Sequence, residues 1–189
     1  MFFAIRRTIL VCIYLSLAAM GFYLWTQRAV LEPAFIWVRA WQNRDDKAVE
    51  AMPQLTGQVT QVRGMDRIQV AASDGILWNV GLTGVTSKKE PNPLARRETE
   101  KKCREYLESL LISNQVRVEL TYTNEHRALG LVHVGDTNVN AAMIASGLGK
   151  LRPQFIRFLP VDKQYPLLMA DRLAQERLAA IAQAQNGQK

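Results

Sequence analysis

Asp66 is the single acidic group in VTQVRGMDRIQV, residues 59–70, where two alternating apolar arms flank a tight Gly64-Met65-Asp66 centre. A carboxylate in such a turn has two jobs open to it. It bonds its own backbone and turns the chain, or it ligates a hard cation together with oxygens from elsewhere. The other chemistry-bearing residues are sparse. His126 and His133 have no partner at ligand spacing, which predicts structural or surface roles. Cys12 and Cys103 give neither a disulfide framework nor a metal-ligand spacing. Between 88 and 104, seven basic residues face only Glu90, Glu98 and Glu100. That run reads either as a solvated helix face laced with i,i+4 pairs or as a patch for lipid or nucleic-acid phosphates. Lys88, Lys89, Arg96, Arg97 and Lys101 are the patch candidates. Few aromatic residues accompany them, which argues against a stacking platform for single strands.

These residues need elements to hold them. The 189 residues are 48% apolar, enough for a buried core, and the formal charge of +7 favours anionic partners. From Gly57 the apolar period is two, and QVTQV, RIQVAA and ILWNVGL read as three strands separated by turn residues. The turn-rich TGVTSKKEPNP follows. From Leu94 to Ile112 the period becomes helical, with Cys103, Tyr106, Leu107, Leu110 and Leu111 on one face. Residues 115–122 and 128–134 return to strand. Residues 138–148 form a short helix closed by Gly147 and Gly149. Pro166 to Ala184 predict a closing helix with Ala170, Leu173, Ala174, Leu178 and Ile181 on one side. Five strands with a helix between the third and fourth describe an α+β fold, a five-stranded OB-type barrel with helices packed outside it.

With this order in view, the chain resembles the staphylococcal nuclease-like (thermonuclease) family over about 57–183. RALGLVHVGDTNVNAAMIASGLGKL (127–151) carries the most specific likeness: an Arg, a strand, a turn, Val139-Asn140 opening a helix, then Gly147-Leu148-Gly149. GQVTQV with DRIQV resembles the family's first hairpin, and LTGVTSKKEP its Leu-x-Gly-Ile-Asp-x-Pro-Glu loop. In nucleic-acid-cleaving members the resemblance implies a calcium-dependent phosphodiesterase with two metal Asp residues, a Glu that orients water and two Arg residues on the phosphoryl oxygens. The first metal Asp falls on Asp66. The second falls on Thr86, a neutral hydroxyl. The first Arg falls near Gly81, or Asn79 with a slip. The Glu falls on Lys89, with Glu90 one residue along. The second Arg falls on Arg127. The resemblance therefore implies a remnant site of Asp66, Arg127 and Glu90 with little activity of the family's kind. No cofactor is expected, and calcium only if an altered-site nuclease operates.

The N-terminus carries a different signal. TILVCIYLSLAAMGFYLWT (8–26) has no charged residue. Nineteen residues at ~1.5 Å each match the ~30 Å bilayer core, so a transmembrane helix is expected, with a cleaved signal as the rival. Residues 27–53 read as a connector in which Phe35, Trp37, Val38 and Trp41 include helical spacings. That helix packs on the domain or lies at a membrane surface. The expected organisation is a basic terminus (1–7), the transmembrane helix (8–26), the connector (27–53), the nuclease-like OB domain (54–185) and a frayed tail (186–189). It implies a single-pass protein of a bacterial or mitochondrial inner membrane, its C-terminal domain on the outer side. The expected role is a catalytically inactive scaffold or interaction module. Its partners would be the lipid bilayer and another membrane or membrane-associated protein. The alternatives are a tethered metal-dependent nuclease and a binder of nucleic acid or anionic lipid through 88–104.

Overall fold

The computed structural model describes residues 16–23, 26, 28–45, 52–87, 91–125 and 127–186. Two compact units divide the chain, Met1–Arg39 and Ala40–Lys189. In the first, residues 16–23 are helical, and helix α1 (Arg28–Asn43) crosses the boundary between the units.

The expectation of a membrane-crossing helix is overturned. Among the described residues no helix is long and apolar enough to cross a membrane. Residues 8–15, 24 and 25 of the predicted span lie outside the described residues. Of that segment, residues 16–23 are described and helical. Helix α1 carries Arg28, Glu32 and Arg39, with Pro33 inside it, and is no substitute. The single-pass placement in an inner membrane falls with the span.

The second unit is a closed barrel of five strands with helices around it. Its strands are β1 (Gln54–Val62), β2 (Arg67–Ala72), β3 (Leu77–Leu82), β5 (Gln115–Asn124) and β6 (Arg127–Val134). They run in the order β3-β2-β1-β5-β6, and β3 then pairs in parallel with β6 from Asn79↔Arg127 to Leu82↔Gly130, closing the ring. This is an OB-type barrel. Three short strands were not anticipated. β4 (Val85–Ser87) pairs with β8 (Gly149–Leu151), and β7 (Thr137–Asn138) extends β6. Each is too short to show a period.

The ladder register shifts at two places, and both matter. The β1 register shifts between Val59 and Gln61, so Val59 and Val62, three residues apart, are both 3% exposed. The β5 register shifts between Leu120 and Tyr122. A bulge of this kind re-aims side chains, and Thr121 and Tyr122 consequently line one cavity although they are sequence neighbours.

Helix α2 (Pro93–Leu111) starts where Asn92 Oδ1 accepts from the Leu94 amide at 2.9 Å, with Pro93 at the first helical position. It buries Cys103, Leu107 and Leu111, on the face that the periodicity marks. Helix α3 (Val139–Ala145) buries Val139, Met143 and Ile144. Helix α4 is longer than the sequence suggests, Val161–Asn186 with Pro166 inside. A proline ordinarily ends a helical reading because it removes one amide donor. Here tertiary contacts hold the preceding turn: Gln164 is wholly buried, donates from Nε2 to the Leu159 carbonyl at 2.8 Å, and accepts from Asn43 Nδ2 at 2.9 Å. The face expected to be buried is covered only at Ala170 and Ala174, while Leu173, Leu178 and Ile181 stay exposed. Residues 187–189 of the expected tail lie outside the described residues.

Candidate functional site

Asp66 ends the β1–β2 turn. Its carbonyl accepts from the Leu82 amide at 2.8 Å, which ties the turn to the end of β3. Beyond Leu82, the chain turns at Gly84 with φ +76°, where a side chain would also run into Ile156. That turn starts β4 and carries Thr86 across the barrel mouth. Asp66 and Thr86 therefore line the same cavity, of about 590 Å³. The two positions onto which the nuclease resemblance maps its metal carboxylates share one space, and they supply one carboxylate and one hydroxyl.

The rest of the lining is unlike a cation site. Thr83 and Thr121 hydroxyls share a hydrogen bond of 2.7 Å, and Thr121 donates to the Leu129 carbonyl at 3.1 Å. Arg152 lines it too, and Tyr122, Leu129, Phe155, Phe158 and Leu159 give it an aromatic and aliphatic wall. Four of these are far from buried, with Tyr122 56% and Phe155 49% exposed. The Arg152 guanidinium lies 5.7 Å from the Phe155 ring centre, and Arg157 lies 4.9 Å from that of Phe158. Gly81, near which the nuclease resemblance maps its first Arg (Asn79 with a slip), also lines the cavity, and a Cβ there would lie 2.7 Å from Leu129 Cδ2. Leu129 thus occupies the space through which a longer side chain would leave.

Calcium needs six to eight hard oxygens. The Asp66 carboxylate lies beside the cation Arg67, with Nε at 4.0 Å. Among the described residues no group of three or more His, Cys, Asp or Glu is placed to hold a metal. Among the described residues the donor set does not fit calcium.

The remaining predicted residues scatter. Arg127 pairs in register with Asn79 and Asn124, is exposed, and does not line the mouth cavity. Lys88, Lys89 and Glu90 lie outside the described residues, as does His126. Arg96 pairs with Glu100 at 3.1 Å, Lys101 with Glu105 at 3.7 Å and Lys102 with Glu98 at 2.6 Å, all at i,i+4 spacing on α2. Arg97 and Arg104 are exposed on the same helix. Burial pushes the Cys103 thiol pKa up, with smaller contributions from the Asp66 and Glu100 charges. That favours the unreactive thiol.

Two features went unread in the sequence. The first is the aromatic wall from LRPQFIRFLP, where Arg152–Phe155 and Arg157–Phe158 pairings were available as a signal. The second is a buried ionic cluster on the outer face of β5 and β6. Lys163 Nζ, from the first turn of α4, lies 2.8 Å from both oxygens of the nearly buried Glu119. His133 Nε2 lies 3.8 Å from the same carboxylate, too far for a hydrogen bond. Burial lowers the His133 pKa; Glu119 opposes this, while Arg117 and Lys163 add to it.

No protein-family model matches this chain, and no curated protein matches it. The nuclease likeness therefore stands on the residues quoted for it.

Proposed function

We propose that this chain is a binding module on a nuclease-like OB barrel, with a mouth that takes an apolar group from a partner in place of a catalytic metal. One observation carries the reading. Asp66 and Thr86 share a cavity whose lining has one acidic residue and one cation, Arg152, among aromatic, aliphatic and hydroxyl side chains. Phosphodiester cleavage of the family's kind needs electrostatic stabilisation by metal and Arg groups, each such contribution worth about 3–4 kcal/mol. Asp66 supplies neither, Arg127 lies off the cavity, and Arg152, which does line it, packs on the Phe155 ring. A concave site of several hundred Å³ with an apolar lining and a few polar groups is well suited to binding, and OB barrels carry many functions besides catalysis.

The test has two arms. The wild-type chain should neither bind calcium measurably nor cleave DNA with it. Calcium-dependent cleavage lost in Asp66→Asn would overturn the reading. Thr86→Asp should create weak calcium binding, with Kd on the order of 10⁻⁴–10⁻³ M, which a further Asp66→Asn removes. Absence of that gain in calorimetry would mean that the two positions are not at ligand spacing. For the binding role, a photo-crosslinker at Phe158 should capture a partner, and Leu129→Glu should abolish the capture without unfolding the barrel.

A further inference from the structure

Helix α1 carries a face that its own packing does not use. Ile36 and Ala40 are 8% and 0% exposed, while Val30, Phe35, Trp37, Val38 and Trp41 are between 46% and 73% exposed. At ~100° per residue those five fall within an arc of roughly 160°, on the side away from Ile36 and Ala40. Five large apolar side chains on one helical face form a patch of the kind that marks an interaction surface.

We infer that this face of α1 docks on an anionic lipid surface, with the helix lying in the plane of the interface. Three observations favour lipid over a protein groove. The patch includes two indoles, whose amphipathic rings suit the headgroup level. Arg39 is exposed beside it, and the helix has two Arg against one acid, Glu32, in a chain of charge +7. The sequence that leads into the helix, residues 8–26, holds no charged residue. An interfacial helix needs no crossing segment: it buries its apolar face ~5–10 Å deep and keeps basic groups at the surface. The inference is independent of what the barrel mouth binds.

The experiment uses the full chain with Trp25→Phe and Trp78→Phe, which leaves Trp37 and Trp41 of the four tryptophans as reporters. Vesicles of phosphatidylcholine with phosphatidylglycerol, brominated in the acyl chains, should shift their emission to the blue and quench it by about half or more, as the ~5–10 Å depth demands. Pure phosphatidylcholine or added salt should weaken binding severalfold. If Trp78→Phe weakens the barrel, comparing Trp25→Phe with Trp25→Phe/Trp37→Phe/Trp41→Phe isolates the same two rings. Unchanged emission and unchanged iodide quenching on adding vesicles would overturn the inference. So would equal binding to neutral vesicles, or a blue shift that follows protein concentration without lipid, which would name a second copy as the occupant.

Discussion

Asn140→Ala tests how the barrel mouth is held. Asn140 is wholly buried at the start of α3. Its Nδ2 donates to the Thr83 carbonyl at 2.9 Å and the Gly130 carbonyl at 3.1 Å, and its Oδ1 accepts from the Val132 amide at 2.9 Å. One side chain thereby joins the turn after β3 to two residues of β6. In the alanine variant the Gly130 carbonyl keeps the Thr83 amide, 2.9 Å away. The Thr83 carbonyl and the Val132 amide are left without the partner they had. Each stranded buried group costs ~1–3 kcal/mol, so the variant should lose about 2–6 kcal/mol. A loss near the middle of that range is a large part of the ~5–15 kcal/mol that stabilises a typical domain. The assay is urea unfolding followed by far-UV circular dichroism. Asn138→Ala is the comparison, because Asn138 only caps α3 by accepting from the Ala141 amide at 3.0 Å, a role worth ~1 kcal/mol. If Asn140→Ala costs no more than Asn138→Ala, the network does not hold the mouth and the reasoning is wrong.

The ionic cluster gives two further predictions. Because burial depresses the His133 pKa below its ordinary 6.5, the folded state keeps this imidazole neutral where the unfolded chain binds a proton. Stability from this residue is therefore present above about pH 6.5, falls as pH drops toward the folded pKa, and levels off below it. Urea midpoints at pH 8 and pH 5 should differ less in His133→Gln than in wild type; an equal difference would refute the assignment. Lys163→Met leaves the Glu119 carboxylate without its cation and should cost about 2–4 kcal/mol, somewhat under the ~3–5 kcal/mol of a fully buried pair because the Lys163 side chain is 32% exposed. Adding Glu119→Gln should recover part of the loss. A neutral Lys163→Met would show that the pair contributes nothing.

Much of the barrel was legible because local rules and tertiary structure agree there. Alternation in RIQVAA and the face of Cys103, Leu107 and Leu111 are consequences of side chains meeting one core, and the structure buries them accordingly. The site was legible only as positions. That Asp66 and Thr86 share a cavity depends on the turn at Gly84 and on pairings remote in sequence. The Leu120/Tyr122 register shift sends Thr121 and Tyr122 into the same space, which no reading by period two would allow. At α4 the local rule and the tertiary structure disagree: Pro166 predicts a helix start, and the helix begins at Val161 with Gln164 buried in the preceding turn.

By itself, then, the sequence determined the order of the five barrel strands and the helices and the interior faces of β2 and α2, because these follow from residue type and short-range spacing. Tertiary structure alone decided how the ring closes between β3 and β6. It also brought Phe155 and Phe158 to the mouth, took Arg127 away from it, and set Lys163 against Glu119. The physical reason is distance along the chain. Each of these contacts joins residues tens of positions apart, and neither periodicity nor propensity carries information over that range.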